Sequence, residues 1–444
     1  MKHGDGESWS GRAGFVLAAL GCAIGIGNVW RFAYVAGDNG GGAFLLVYVA
    51  CVLLIGVPLL LSELVLGSRA RADVLQSFSH PRALRAWRAG GVLAVLVAFL
   101  ILSYYSVIAG WVCKYFLDYA IGAHPGTAGA APEESFRAFV ADPLQPLAWH
   151  ALFMALTAAV VAAGIEKGIE RASRVLMPVL AVLILLLAGY ALSLPGAEKG
   201  IAFLFAPDWS ALAAPKIYLA ALGQAFFSLG VGMGVIITYA GYLRSNEGLA
   251  ASAVAIAAGD TLFAVAAGVA IFPIVFSFGM DPAYGPALAF VTLPKVFALM
   301  PGGAWFGVAF FFLLSAAALT SSVSLLEVPV AIAQHRGWPR AGATALVAFC
   351  AFLAGAPSSL GTGPLGDVRI AGRGILEAVD FVAADLFLPV SGIAVALFTG
   401  WVLPRGEALG ACGLSPRAAG AWLAAVRYVV PAALLAILGV LAFG

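Results

Sequence analysis

The chain has 444 residues, of which 62% are hydrophobic and 10% are charged. A soluble domain of ordinary composition carries about 25% charged residues, so this composition excludes a soluble enzyme and indicates a membrane protein with many spans. The 24 basic and 22 acidic residues nearly balance, which excludes a nucleic-acid-binding protein, and the five scattered cysteines make no disulfide framework.

A helix that crosses about 30 Å of hydrocarbon needs about 20 mostly apolar residues. Division of the chain at its charged, proline-rich and glycine-rich segments predicts eleven such spans. They cover residues 13–36, 41–68, 89–120, 147–165, 172–194, 218–243, 249–278, 304–334, 340–356, 376–402 and 418–443. Because no small-residue cleavage site follows the first span, we expect a membrane helix there rather than a signal peptide.

Basic residues in short loops predict the orientation, because such loops generally face the cytoplasm. Two predicted loops are basic, and they carry Arg69, Arg71, Arg82, Arg85 and Arg88 after the second span and Lys167, Arg171 and Arg174 after the fourth. The segment 121–146 carries three acidic residues and one arginine, as expected of an outside loop. Residues 1–12 are therefore predicted to be cytoplasmic, and the odd number of spans predicts a C-terminus outside the cell.

Glycines interrupt two predicted spans at matching positions. The interrupted segments are LGCAIGIGN at 20–28 in the first span and FFSLGVGMG at 226–234 in the sixth. Such pairs are typical of inverted-repeat transporters, in which unwound carbonyls bind cations and half-helix N-termini face anions. The pattern predicts one repeat at 13–194, a second at 218–402 and an additional helix at 418–443. The alternative is that these glycines only allow close helix packing.

Several longer motifs resemble the neurotransmitter:sodium symporter family, in particular its bacterial amino-acid transporters. They are WSGRAGFVLAALGCAIGIGNVWRF at 9–32, DNGGGAFLLVY at 38–48, SYY at 103–105, GQAFFSLGVGMGVIITYAGY at 223–242 and ALTSS at 318–322. The resemblance covers nearly the whole chain. It implies an all-α polytopic membrane protein of about eleven transmembrane helices, with inverted five-helix repeats, unwound helices 1 and 6, and one extra C-terminal helix.

The resemblance also implies two sodium sites. The first consists of the carbonyl of Ala23 and the side chains of Asn28, Ser228 and Asp260, completed by the substrate carboxylate. The second consists of the carbonyls of Gly21, Ile24 and Ala317 and the hydroxyls of Thr320 and Ser321. Two alternatives remain open: the two hydroxyls bond to carbonyls one turn earlier, and Asp260 caps the start of its helix.

The family's substrate site corresponds to residues around both interruptions. The resemblance puts the substrate carboxylate near the N–H groups of Ile26 and Gly27 and the Tyr105 hydroxyl, and its ammonium near carbonyls of Ala23, Phe227 and Ser228. Monoamine transporters of the family carry an aspartate at the position of Gly25, so glycine implies a substrate with its own carboxylate. The predicted side-chain pocket is apolar and consists of Cys22, Ile101, Phe227, Gly230, Met233, Ser321 and Leu325.

Arg31 and Asp380 match the family's outer gate, with Tyr105 and Phe227 as the lid beneath it. The alternative for Arg31 is that its side chain extends to the outer headgroups. The charged inner gate of the family is missing, because the corresponding positions hold Gly6 and His335. We therefore expect Trp9 and packing to seal the inner side, and the polar candidates that assist them are Lys2, Arg12 and Tyr242.

Together these features predict a transporter rather than an enzyme. The resemblance implies that it imports a zwitterionic, hydrophobic L-amino acid with sodium across the inner (plasma) membrane by alternating access, and that Asp260 makes chloride unnecessary. The expected partners are the amino acid, sodium ions and the lipid bilayer, with no nucleic acid and no required oligomer. The alternatives are a symporter of GABA, taurine or another ω-amino acid, a non-transporting sensor of the same fold, and an intramembrane enzyme, for which no catalytic arrangement is visible.

Overall fold

The computed structural model describes residues 7–81, 83–124, 131–244, 248–280 and 289–443, and these ranges are almost entirely helical. In chain order the helices are α1 (Arg12–Ala23), α2 (Gly27–Asp38), α3 (Gly42–Ala70), α4 (Arg85–Ala120), α5 (Pro132–Ala141), α6 (Gln145–Ala162), α7 (Ile165–Leu192), α8 (Ala197–Phe205), α9 (Pro215–Leu229), α10 (Val235–Gly241), α11 (Leu249–Ser277), α12 (Thr292–Leu299), α13 (Gly303–His335), α14 (Arg340–Leu360), α15 (Ile375–Val402), α16 (Arg405–Ala411) and α17 (Pro416–Leu441).

Nine helices in the described ranges are long and apolar enough to cross a membrane: α3, α4, α6, α7, α11, α13, α14, α15 and α17. The pair α1 and α2 meets the same requirement across a bend of 53°. Helices α9 and α10 occupy the predicted sixth span and are separated by residues 230–234. An all-helical membrane fold is thus confirmed, whereas the count of eleven spans and the repeat limits 13–194 and 218–402 stay predictions.

The break between α9 and α10 depends on three glycines in the left-handed region. Gly230, Gly232 and Gly234 have φ angles of +64°, +85° and +71°. A residue with a Cβ adopts this conformation only under strain, so the alternating glycines end one helix and begin the next. The first break differs, because Ile24 leaves α1 in an extended conformation at φ −76° and ψ 95° and no glycine there has a positive φ.

Long helices enclose the two breaks. Helices α4 and α13 pack along each other more extensively than any other pair, and α1 packs against α13, α11 and α7. The two breaks meet at the centre, since a Cβ at Gly230 would lie 3.2 Å from the Cys22 Sγ atom. A site between the breaks is therefore held by rigid helices on several sides.

The bundle has two end faces. We call the one at the start of α1 and α14 the Arg12 face, and the one at the start of α15, near α5, the Asp380 face. Four short helices, α5, α8, α12 and α16, lie in segments that the sequence assigns to loops between spans. They connect the long helices at the ends of the bundle.

Candidate functional site

Gly25 lies at the closest approach between the first break and its neighbouring helices. A Cβ at Gly25 would lie 2.8 Å from the Ser321 Oγ atom on α13 and 2.9 Å from the Tyr105 hydroxyl oxygen on α4. The same hydroxyl accepts a hydrogen bond from the Ile26 N–H group at 3.1 Å. A side chain at this position would have to displace these two hydroxyls, and the break presents its backbone N–H group directly to the Tyr105 oxygen.

Three side chains of the predicted first sodium site form one buried cluster. The Asn28 Nδ2 atom donates to Asp260 Oδ1 at 2.6 Å and to Ser228 Oγ at 3.0 Å. Ser228 Oγ also donates to Asp260 Oδ2 at 2.8 Å, and all three residues are buried. Because α11 begins at Leu249, Asp260 lies well inside the helix and does not cap it.

This cluster has the oxygens that a small hard cation binds, namely a carboxylate, a hydroxyl and a side-chain amide. The Asn28 amide turns its nitrogen toward the carboxylate, while its Oδ1 atom accepts the Gly25 N–H group at 3.1 Å. Only the oxygen of an amide is a cation ligand, and the Asn28 oxygen lies at the first break, where it accepts the Gly25 N–H group.

The predicted second sodium site lies where α13 meets the end of α1. Ser321 Oγ donates to the Cys22 carbonyl at 3.1 Å and to the Gly21 carbonyl at 3.4 Å. Thr320 Oγ1 donates instead to the Ala317 carbonyl of its own helix at 3.0 Å. Thr320 thus makes the local bond, whereas Ser321 reaches across to carbonyls beside the first break.

A small cavity separates the two breaks, with a volume of about 30 Å³. Its lining includes eleven of the predicted substrate-site residues: Cys22, Ala23, Gly25, Gly27, Ile101, Tyr105, Phe227, Gly230, Met233, Ser321 and Leu325. Of the other two, Ile26 lines the larger cavity on the Asp380 face, and Ser228 lies in the Asn28 cluster. One water molecule requires a cavity of about 10–15 Å³, so this cavity holds about two waters. Its walls must therefore separate to admit an amino acid.

A cavity of about 630 Å³ lies between this site and the Asp380 face. Tyr105 and Phe227 line both cavities and separate them, which is the position expected of a lid. Arg31 Nη1 donates to Gln224 Oε1 at 2.7 Å, and its guanidinium lies 5.0 Å from the centre of the Phe227 ring. Arg31 therefore points into the cavity rather than to the headgroups.

The predicted outer-gate pair is not formed in this structure. Arg31 and Asp380 both line the larger cavity, yet no ion pair between described residues joins them. Arg31 bonds to Gln224 instead. The Asp380 face is open to this depth.

The Arg12 face is closed by the segment before α1. Trp9 is 1% exposed, and its Nε1 atom donates to the Tyr239 carbonyl at 2.8 Å. Arg12 donates to Ser252 Oγ at 3.1 Å, and the Tyr242 hydroxyl donates to Glu327 Oε1 at 2.6 Å. Lys2 and Gly6 lie outside the described residues. Trp9 is thus packed into this face, and its role in the inner seal stays a prediction.

Sequence reasoning missed Glu63 on α3. Its Oε1 atom accepts the N–H group of Gly232 at 2.6 Å, and the side chain is fully buried. This bond ties α3 to the break between α9 and α10, where helical bonding is lost. The signal was available, because an acidic residue inside a predicted span is a functional candidate by default.

The sequence model of the sodium:neurotransmitter symporter family matches residues 6–125 and 143–362. The chain belongs to this family. The match includes both breaks and the Asn28 cluster. The protein is therefore a multi-pass membrane transporter and not an enzyme, and Na⁺ is its coupled ion.

Individual relatives agree with the family assignment. An uncharacterized sodium-dependent transporter of Bacillus subtilis, YhdH, is 38% identical over 452 residues and is matched over 100% of both chains. The sodium- and chloride-dependent GABA transporter ine of Drosophila melanogaster is 29% identical over 75% of this chain and 40% of its own. The crystal structure of MhsT in complex with L-phenylalanine superposes with a TM-score of 0.91 at 46% identity, covering 98% of this symporter and 99% of MhsT.

Proposed function

We propose that this symporter imports a zwitterionic, hydrophobic L-amino acid together with sodium and without chloride. The observation that carries this proposal is the surroundings of Gly25. The Ile26 N–H group and the Tyr105 hydroxyl meet beside it, and both are donors for an anion. Because Gly25 has no side chain and so supplies no carboxylate, the anion comes from the substrate.

The apolar lining of the small cavity supports a hydrophobic side chain. Ile101, Met233 and Leu325 come from three different helices or breaks and are 1%, 5% and 4% exposed. Methionine is flexible enough to repack around side chains of different sizes. MhsT, which shares the fold at 46% identity, was crystallised with L-phenylalanine.

For sodium we propose two sites on either side of the first break. The first uses the carbonyl of Ala23 and the side chains of Asn28, Ser228 and Asp260. The second uses the carbonyls of Gly21, Ile24 and Ala317 and the hydroxyls of Thr320 and Ser321. Support comes from the short bonds within the first set and from Ser321, which already contacts two carbonyls next to the break.

Independence from chloride rests on Asp260. Its carboxylate lies in a fully buried cluster whose other side chains, Asn28, Ser228 and Tyr48, are neutral. A carboxylate at this point balances the charge of a bound sodium ion, which makes a separate anion unnecessary. We also propose that the Arg12 face is cytoplasmic, because the basic loops lie at the ends of α3 and α6 on that side.

Thermal unfolding of the detergent-purified protein tests this function. A ligand that binds only the folded state adds RT ln(1 + [L]/Kd), about 2.7 kcal/mol at a hundredfold excess over Kd. We expect Leu, Met, Phe, Tyr or Trp to raise the unfolding temperature in sodium and to have no effect when choline replaces sodium. Stabilisation by GABA or taurine instead would favour the ω-amino acid alternative. A second test measures uptake of labelled leucine into proteoliposomes. Excess Trp should suppress this uptake, and excess taurine should not.

A further inference from the structure

Arg427 is a charged residue inside a membrane-spanning helix. It is the twelfth residue of α17, which has 26 residues, and it lies about 16 Å from the start of that helix at a rise of about 1.5 Å per residue. A charge at such a position is costly in hydrocarbon and marks a functional candidate. None of the ion pairs between described residues includes Arg427. Its charge is therefore not neutralised by the part of the chain that the structure describes.

Close contacts with α15 hold Arg427 in position. The Arg427 Nε atom donates to the Gly400 carbonyl at 2.6 Å, and a Cβ at Gly400 would lie 2.9 Å from the Arg427 Cγ atom. The Trp401 Nε1 atom donates in return to the Arg427 carbonyl at 3.3 Å. Arginine has five N–H donors, and four of them are on Nη1 and Nη2. These four have no acceptor among the described residues, so they are available to a ligand.

The depth of Arg427 in the membrane follows from the end of α15. This helix ends at Val402, two residues after Gly400. The next helix, α16, carries Glu407, which pairs with His80 in the basic loop after α3. Arg427 is therefore level with the last turn of a spanning helix on the Arg12 face. In a helix the Cα–Cβ bonds tilt toward the N-terminus, which for α17 is this face. The side chain thus lies near the boundary between hydrocarbon and lipid headgroups.

Two exposed aromatic side chains lie next to Arg427 on the surface of the bundle. Trp401 is 56% exposed and Tyr428 is 60% exposed, and their ring centres are 5.6 Å apart. The Arg427 guanidinium lies 5.5 Å from the centre of the Trp401 ring. Tryptophan and tyrosine are enriched at the level of the headgroups in membrane proteins. Arg427 therefore presents its free donors on a surface that faces lipid.

We propose that Arg427, Trp401 and Tyr428 bind the headgroup of an anionic phospholipid in the leaflet on the Arg12 face. A guanidinium holds a phosphate through two parallel N–H···O bonds, and the Nη1 and Nη2 groups of Arg427 supply the donors. An anionic lipid balances the charge of Arg427, whereas the ammonium group of a zwitterionic lipid adds a charge of the same sign. The site lies on the lipid-facing surface, so the proposal does not depend on which substrate is transported.

Native mass spectrometry of the detergent-purified protein measures this binding. Phosphatidylglycerol and phosphatidylcholine with the same acyl chains are titrated separately, and the fraction of protein that retains one lipid gives each dissociation constant. We expect Arg427→Gln to raise the dissociation constant for phosphatidylglycerol about tenfold, which corresponds to about 1.4 kcal/mol, and to leave that for phosphatidylcholine unchanged. Unchanged binding of phosphatidylglycerol by Arg427→Gln would overturn the proposal, as would a wild-type protein that does not prefer phosphatidylglycerol.

Two controls separate this site from general effects of charge. Arg417 is an exposed arginine on the same helix, also without an ion pair to a described residue, and Arg417→Gln should bind phosphatidylglycerol like the wild type. An equal loss in Arg417→Gln would show an effect of net charge only and would overturn the proposal. Inorganic phosphate at the concentration of the lipid should not displace phosphatidylglycerol. Displacement would show a site for free phosphate instead of lipid.

A third variant tests the two parallel bonds. Arg427→Lys keeps the positive charge but loses the planar pair of donors, so its dissociation constant for phosphatidylglycerol should lie between those of the wild type and Arg427→Gln. Wild-type affinity in Arg427→Lys would contradict binding through the guanidinium. Arg427→Gln also loses the bond to Gly400, so its unfolding temperature without lipid is measured first. If it does not fold, Arg427→Lys and the lipid preference of the wild type decide.

Discussion

At the scale of single residues, the proposed function depends most on Gly25, which leaves no room for a side chain without displacing its neighbours. Adding only a methyl group there brings it within 2.8 Å of Ser321 Oγ and 2.9 Å of the Tyr105 oxygen. The two neighbours are held by other bonds, to Cys22 and to the Ile26 N–H group, and have little freedom to move. Size and charge at position 25 can therefore be tested separately.

We expect Gly25→Ala to weaken amino-acid binding and Gly25→Asp to abolish it, since aspartate adds a carboxylate where that of the substrate binds. Gly223→Ala on α9 is the matched control, because no atom outside its own helix backbone lies within 4 Å of a Cβ there. The measurement is sodium-dependent thermal stabilisation by Leu. Unchanged stabilisation of Gly25→Asp would remove this residue from the site.

Asp260 gives a second prediction at this scale. Wild-type uptake should proceed equally in chloride and in gluconate, because the carboxylate beside Asn28 and Ser228 supplies the negative charge. Asp260→Asn keeps the shape and the polar contacts but removes this charge, so its sodium-coupled uptake should be lost or become dependent on chloride. Full uptake in gluconate by this variant would refute the role of Asp260.

At the scale of helices, the break between α9 and α10 depends on left-handed glycines, and one of them also lies close to a neighbouring helix. Gly232 combines a φ of +85° with a Cβ position 2.9 Å from the Leu388 carbonyl oxygen. Gly337 has a similar φ of +88° but no atom within 4 Å of its Cβ position. Comparing alanine substitutions at Gly232 and Gly337 therefore separates the cost of a left-handed backbone conformation from the cost of the close contact with Leu388.

We expect Gly337→Ala to destabilise by about 1 kcal/mol, the strain of a left-handed residue with a side chain. Gly232→Ala should destabilise by more, because α15 must also move away from the break and the bond to Glu63 is disturbed. Unfolding temperatures of both variants, with and without Leu in sodium, give the comparison. Equal losses in the two variants would show that the contact with Leu388 carries no weight.

How much the sequence predicts also depends on the helix concerned. The long helices follow from uninterrupted apolar runs, and the glycine-rich segments indicate where the two breaks lie. The short helices α5, α8, α12 and α16 have no run of about 20 apolar residues, so hydropathy assigns them to loops. The predicted sixth span, 218–243, covers all of α10 and all of α9 except its first three residues, and the glycine break lies between the two helices.

At the scale of the whole molecule, residues that are local to a motif were predictable and residues that meet across helices were not. Asn28, Tyr105 and Ser321 lie within short family motifs, so the resemblance identified them. Glu7 and Arg340 are separated by 333 positions, and only the packed bundle brings them together. Which charged residues form pairs across helices depends on tertiary packing, and no local sequence pattern predicts it.

Coupling between the ligands is also a property of the whole molecule. If the substrate carboxylate completes the first sodium site, sodium and substrate must tighten each other's binding by the same factor. We expect the ratio of Leu dissociation constants without and with sodium to equal the ratio of sodium dissociation constants without and with Leu. Titration calorimetry in choline and sodium buffers measures both. Leu affinity that is independent of sodium would contradict the shared site.

The carboxylate of Asp260 also sets how the carrier responds to an electric field. If one sodium ion binds in each proposed site with a zwitterion between them, and if Asp260 stays ionised throughout, the net charge of the filled sites is plus one and that of the empty sites is minus one. A potential of 100 mV, negative inside, acts on each elementary charge with about 2.3 kcal/mol. It therefore drives the filled carrier inward and the empty carrier outward, so voltage accelerates both halves of the cycle rather than one.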